Sequence, residues 1–196
     1  MPRLIVAGLM VLLLAACATP IVAPSGAAVP LIALAPASLG TPLALAQRLS
    51  VRRGAHADEA PAAVLDTLIE TDSDRVHLVA LALSQRVLSL TWDGVSLTVE
   101  RHPQLPATVD AAHVLRDLQL AFWPAPALRA ALPAGWTLDE TELRRVLRQG
   151  GEPRMTLDYS GPLRWQGRVE LDNLAESYQL TIESLSLPPA VASPTP

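Results

Sequence analysis

The sequence predicts an α+β fold: one curved antiparallel sheet, a half-open β-barrel, with two short helices inserted mid-chain as a lid. Three observations predict it. Apolar and polar residues alternate with period two on both sides of Pro103, and the spacing changes to three and four between Pro103 and Gly135. The tight turn pairs Asp93-Gly94 and Gly150-Gly151 favour antiparallel neighbours. A two-sheet sandwich would need no helices, and a parallel sheet would need one after each strand.

The elements follow in order. Leu43, Leu45, Gln47, Leu49 and Val51 alternate with small or polar residues, giving a half-buried strand that ends at Arg52-Arg53-Gly54. Val64 to Thr71 is the next strand, Asp72-Ser73-Asp74 a polar turn, and Arg75 to Leu83 a strand with Val76, Leu78 and Ala80 on one face. Val87 to Trp92 and Val95 to Arg101 flank Asp93-Gly94 as a hairpin. Thr108 or Asp110 caps a helix over Ala111 to Phe122, where Val114, Leu115 and Leu118 recur at helical spacing. Pro124 and Pro126 stop it and start a short second helix over Ala127 to Leu132, which Pro133-Ala134-Gly135 ends. Strands resume at Trp136 to Gln149, Arg154 to Ser160, Leu163 to Asp172 and Ser177 to Leu187.

Composition narrows the partners. The 196 residues carry 15 basic side chains, all arginine, against 19 acids. Such a chain offers no basic stripe for nucleic acid and no polybasic patch for anionic lipid.

The N-terminus supplies another route to a membrane. Met1-Pro2-Arg3 precedes the apolar run Leu4 to Leu14, then Ala15-Ala16 and the single cysteine, Cys17. The run is too short to span a bilayer well and reads as a secretory signal. Leu14-Ala15-Ala16-Cys17 resembles the bacterial lipobox. That resemblance implies cleavage before Cys17, a covalent diacylglyceryl group on its thiol and an N-acyl chain on its amine, with no other cofactor. Two or three acyl chains hold permanently where one exchanges. Ala18, in place of an aspartate, implies sorting to the outer membrane with the domain in the periplasm.

Four segments result: a signal peptide over 1–16, an acylated tether over 17–38, a folded domain over 39–187 and a disordered tail over 188–196. Pro20, Pro24, Pro30 and Pro36 recur in the tether without helical or strand periodicity.

Catalytic and metal-binding patterns are weak. The four histidines, His56, His77, His102 and His113, are not spaced as metal ligands, and His113 with Asp117 could supply only two on one helical face. Asp72-Ser73-Asp74 lacks the glycine and glutamate of a calcium loop. No Gly-x-Ser-x-Gly elbow occurs, and the adjacent carboxylates Asp58-Glu59 and Asp139-Glu140 would point to opposite faces of a strand. The reading is therefore of a protein that is not an enzyme.

Two resemblances bear on function. The order of meander, hairpin, proline-broken helices and further strands resembles the periplasmic lipoprotein carriers and receptors LolA and LolB. The segments Leu39-Gly40-Thr41-Pro42-Leu43 through Leu49, Ser84 through Gly94, and Asp117-Leu118-Gln119-Leu120-Ala121-Phe122-Trp123-Pro124 resemble an uncharacterised bacterial lipoprotein family, a domain of unknown function often encoded beside aryl polyene genes. These imply a fold and a location, and no catalytic residue.

The expected site is an apolar cavity under the lid. Leu115, Leu118, Phe122, Trp123 and Leu128 would face Leu90, Trp92, Leu97 and Val99 across a space for an acyl or polyene chain. The expected partners are the membrane, through the lipid anchor, and an apolar cargo (lipid, polyene-lipid or acylated protein) or a carrier protein. A scaffold lipoprotein with a packed interior, and less favourably an envelope hydrolase, are the alternatives.

Overall fold

A computed structural model describes residues 27–54 and 62–188. Ten strands run β1 (Leu43–Arg53), β2 (Ala63–Thr71), β3 (Val76–Ala82), β4 (Gln85–Trp92), β5 (Leu97–Arg101), β6 (Trp136–Glu140), β7 (Arg144–Gln149), β8 (Glu152–Tyr159), β9 (Gly167–Asn173) and β10 (Tyr178–Ser186). Two helices, α1 (Ala111–Phe122) and α2 (Ala125–Ala131), lie between β5 and β6. All pairings are antiparallel, in the order β5-β4-β3-β2-β1-β10-β9-β8-β7-β6. The result is the expected curved, unclosed sheet with a helical insert.

The topology places the first and last strands side by side at the centre. Two meanders grow outward from the β1–β10 pair, which Leu49 opposite Ile182 keeps in register, and the helices connect the two edge strands. Period-two alternation then puts Leu45, Ile69, Leu78 and Leu90 on one buried face. The helices cover that face.

Local chemistry sets most boundaries. Asp110 caps α1 by accepting from the backbone N–H of Ala112 at 2.7 Å and His113 at 3.2 Å. Asp72 closes its turn by accepting from Asp74 and Arg75, and those N–H donors hold its carboxyl below the usual range. Asp93 does the same for Val95 and Ser96, with Gly94 at φ 95°.

Three expectations change. The single strand over Trp136 to Gln149 is a hairpin that turns at Thr141, whose N–H donates to Arg144 O at 2.8 Å. Its turn contains no glycine or proline, so alternation runs unbroken through both arms. The strand expected from Leu163 begins only at Gly167, because Arg164 leaves the sheet to bind Glu140 at 2.7 Å and stack on the Tyr159 ring.

The third change is the tether. Residues 27–38, assigned to a free linker, pack against the core together with Leu39, with Val29, Ile32 and Leu39 buried and a 3-10 turn over Pro36–Leu39. Alanine-rich composition hid these three spaced aliphatic residues. Pro30 and Pro36 lack N–H groups, which suits a segment outside the sheet. Cys17 and the remaining tether, the expected signal peptide, His56, Asp58-Glu59 and all but Pro188 of the expected tail lie outside the described residues.

Candidate functional site

The expected cavity residues come together, but around a filled space. Trp92, Leu115, Leu118, Phe122, Trp123 and Leu128 are each at most 6% exposed. The strap formed by residues 27–39 lies in the seam between α1 and β4. Leu34 O accepts from Trp92 Nε1 at 2.7 Å and from Gln119 Nε2 at 3.0 Å, and Leu34 N donates to Gln119 Oε1 at 3.2 Å. Trp123 Nε1 donates to Ser38 Oγ at 3.0 Å and Ala35 O at 3.4 Å. Val99 lies opposite Leu90 on the edge strand β5, on the face expected, and is 39% exposed.

Because strap and sheet enclose α1 from two sides, every residue from Leu115 to Phe122 is buried, polar ones included. Burying Arg116 and Asp117 demands complete pairing. Arg116 donates from Nε to Asp117 Oδ1 at 2.9 Å, from Nη1 to Val29 O at 3.0 Å and Glu176 Oε1 at 2.6 Å, and from Nη2 to Glu176 Oε2 at 3.2 Å and Tyr178 OH at 2.9 Å. All five guanidinium N–H groups are thereby used. Tyr178 OH donates in turn to Asp117 Oδ2.

The electrostatics follow from that clasp. Burial drives the Asp117 carboxyl up against the pull of Arg116, and burial followed by the Asp117 charge drives the Tyr178 hydroxyl up. Burial also opposes ionisation of Glu176, yet the Arg116 hydrogen bond and charge hold its carboxyl below the usual range. Glu176 Oε1 accepts from Val29 N at 3.2 Å, so the clasp ties helix, sheet and strap together. His113 Nδ1 lies 3.8 Å from Glu176 Oε2, while Asp117 is engaged by Arg116 and Tyr178, so that pair does not converge on a metal.

A second buried arginine closes the far end of α1. Arg145 donates to Leu120 O at 2.6 Å, Ala121 O at 3.3 Å and Trp123 O at 2.7 Å, and pairs with Glu140 at 2.9 Å. The carbonyls a helix leaves unpaired at its C-terminus are thus satisfied by a cation. Neither arginine had a signal in the sequence that would mark it as buried.

Open space lies elsewhere. A recess of about 300 Å³ sits at the β3–β4 hairpin, with Leu65, Val87 and Leu105 among its walls, the last two packed on the core. At its lip stands Leu83, which is 100% exposed. Leu83 and Ser84 are the two central residues of the hairpin, at φ 49° and 63°, a turn that Asn-Gly ordinarily makes. A larger groove of about 730 Å³ runs over the opposite face of the sheet, floored by Ala46, Leu68, Leu81 and Leu185 between Arg48 and Arg168.

A family model described as a protein of unknown function, DUF3261, matches residues 44–186. The chain belongs to that family. No curated protein matches the chain. The DUF3261 match contains Trp92, Arg116, Gln119, Trp123 and Glu176, the side chains that grip the strap, whereas the strap itself precedes it. Both recess and groove fall almost wholly within the DUF3261 domain.

Proposed function

We propose that this chain is a lipoprotein, held to the outer membrane by acyl chains on Cys17, that takes up an apolar cargo and passes it on without catalysis. The observation that carries the reading is Leu83. A leucine left in water forgoes about 1.5–3 kcal/mol of burial, and a left-handed conformation costs about 1–2 kcal/mol more. Two unfavourable features meet at one residue, on the lip of an apolar recess that reaches the core. Contact with a bilayer or an acyl chain would recover the first of them. Backbone strain of this kind accumulates where function needs it.

The filled seam beneath α1 favours a second reading, a scaffold lipoprotein whose interior is packed. One substitution separates the two. Leu83→Asn suits the left-handed turn, so the protein should be as stable as the parent or more so by up to about 1 kcal/mol. On the cargo reading the acylated variant loses lipid transfer between donor and acceptor vesicles, and lipid no longer co-purifies with it by mass spectrometry. No transfer by the parent or by Leu83→Asn, with no lipid on either protein, would leave the scaffold.

A further inference from the structure

The strap is held in an unusual way. Its partners address backbone atoms at three places: Glu176 and Arg116 take Val29 N and O, Gln119 and Trp92 take Leu34 N and O, and Trp123 reaches Ala35 O. Gln119 pairs with both backbone groups of one residue, Leu34, as a neighbouring strand would, donating to its oxygen and accepting from its N–H. The strap is not itself part of the sheet.

Side chains supply area with little polar detail. Val29, Ile32 and Leu39 are buried at 3–5% exposure, whereas Leu31 points outward at 59%. A cleft that reads backbone and buries aliphatic groups at intervals selects an extended, uncharged, apolar polypeptide and tolerates many sequences. The gripping residues belong to the DUF3261 domain and the segment they grip does not. Gln119 is fully buried with the strap in place, and its amide makes both of its strap bonds to backbone, so it matches any peptide backbone laid in the cleft.

We propose that the seam between α1 and β4 is a peptide-binding cleft, that residues 29–38 are its resident occupant, and that an extended aliphatic segment of a partner protein takes their place. Exchange is feasible because the strap joins β1 through only Gly40-Thr41-Pro42, with Gly40 at φ 82°, and can leave without breaking a sheet ladder. A resident occupant lowers apparent affinity for an incoming peptide by the fraction of time it vacates the cleft. This cleft does not depend on what the recess under Leu83 binds.

The test uses the full chain and a fluorescent synthetic peptide of residues 29–38, followed by anisotropy. Ile32→Asp places a charge at a site that is 4% exposed and biases the resident strap outward. Peptide affinity should rise at least about tenfold over the parent protein, and adding Gln119→Leu should abolish the gain. No gain in folded Ile32→Asp protein, or a gain that survives Gln119→Leu, overturns the proposal. A strap-exchanged dimer by light scattering, with no gain in peptide binding, overturns it in favour of a second copy. Should Ile32→Asp fail to fold, Ile32→Ala replaces it, and hydrogen exchange on the parent protein decides independently. The Leu34 amide should exchange while α1 stays protected, and exchange only on global unfolding overturns the proposal.

Discussion

Replacing Arg116 with methionine tests the clasp on which the enclosed helix depends. The substitution keeps much of the side-chain volume and removes all five donors, leaving Asp117 beside Glu176 with side chains 11% and 17% exposed. Removing one partner of a buried ion pair costs about 3–5 kcal/mol, since the remaining charge stays buried and uncompensated. The Val29 carbonyl and the Tyr178 hydroxyl also each lose a partner, which places the loss toward the upper end. For a domain of this size that corresponds to a fall in Tm of about 6–20 °C.

The penalty should also depend on pH in a defined direction. Without Arg116 only the Tyr178 hydrogen bond opposes the burial that already raises Asp117, so its folded pKa rises further above the unfolded value. A carboxyl of that kind destabilises at neutral pH, and the penalty fades as pH falls through the raised folded value. The gap between parent and variant should therefore narrow in acid. Adding Asp117→Asn should recover most of the loss at pH 7. Urea unfolding of the three proteins across pH measures both effects, with Arg148→Met as reference, because Arg148 pairs with Asp139 at 2.8 Å on the surface and such pairs contribute about 0.2–1 kcal/mol. An Arg116→Met cost no larger than that of Arg148→Met would refute the reasoning.

Two further outcomes follow from local geometry. Gly167→Ala should cost at least about 1–2 kcal/mol in chemical denaturation, because Gly167 has φ 84° and an added Cβ would lie 2.6 Å from Ser160 Oγ; Ser160→Ala should restore the part due to the clash and leave the backbone part. Glu176 contributes stability that is present above its ordinary value of 4.5 and lost as pH falls through its depressed folded value. The protection factor of the Val29 amide should fall in step, and Glu176→Gln should lower that protection at pH 7 and flatten its pH dependence.

The sheet was legible because each strand had to bury one face. Period-two alternation is visible wherever one side is wet, and Asp93-Gly94 marks a hairpin by its backbone demands alone. Where a turn is made by ordinary residues the signal vanishes, as at Thr141 to Leu143 and at Leu83-Ser84, whose positive φ values nothing in their chemistry announces. Trp92, Phe122, Trp123 and their aliphatic neighbours share one core. What fills the seam between them was hidden in a stretch whose proline and alanine content resembles a linker.

The amino-acid sequence by itself determined the α+β class, the alternating faces of most strands, the cap on α1 and the proline break after it, since each depends on residues close together in the chain. Only the tertiary structure decided that residues 27–39 are a strap, that Arg116 and Arg145 are buried, and that the fully exposed Leu83 stands beside an apolar recess. Those outcomes depend on partners up to 147 residues apart, as between Val29 and Glu176. An arginine reads the same in sequence whether it meets water or a ring of carbonyls and carboxylates, and only the folded chain determines which.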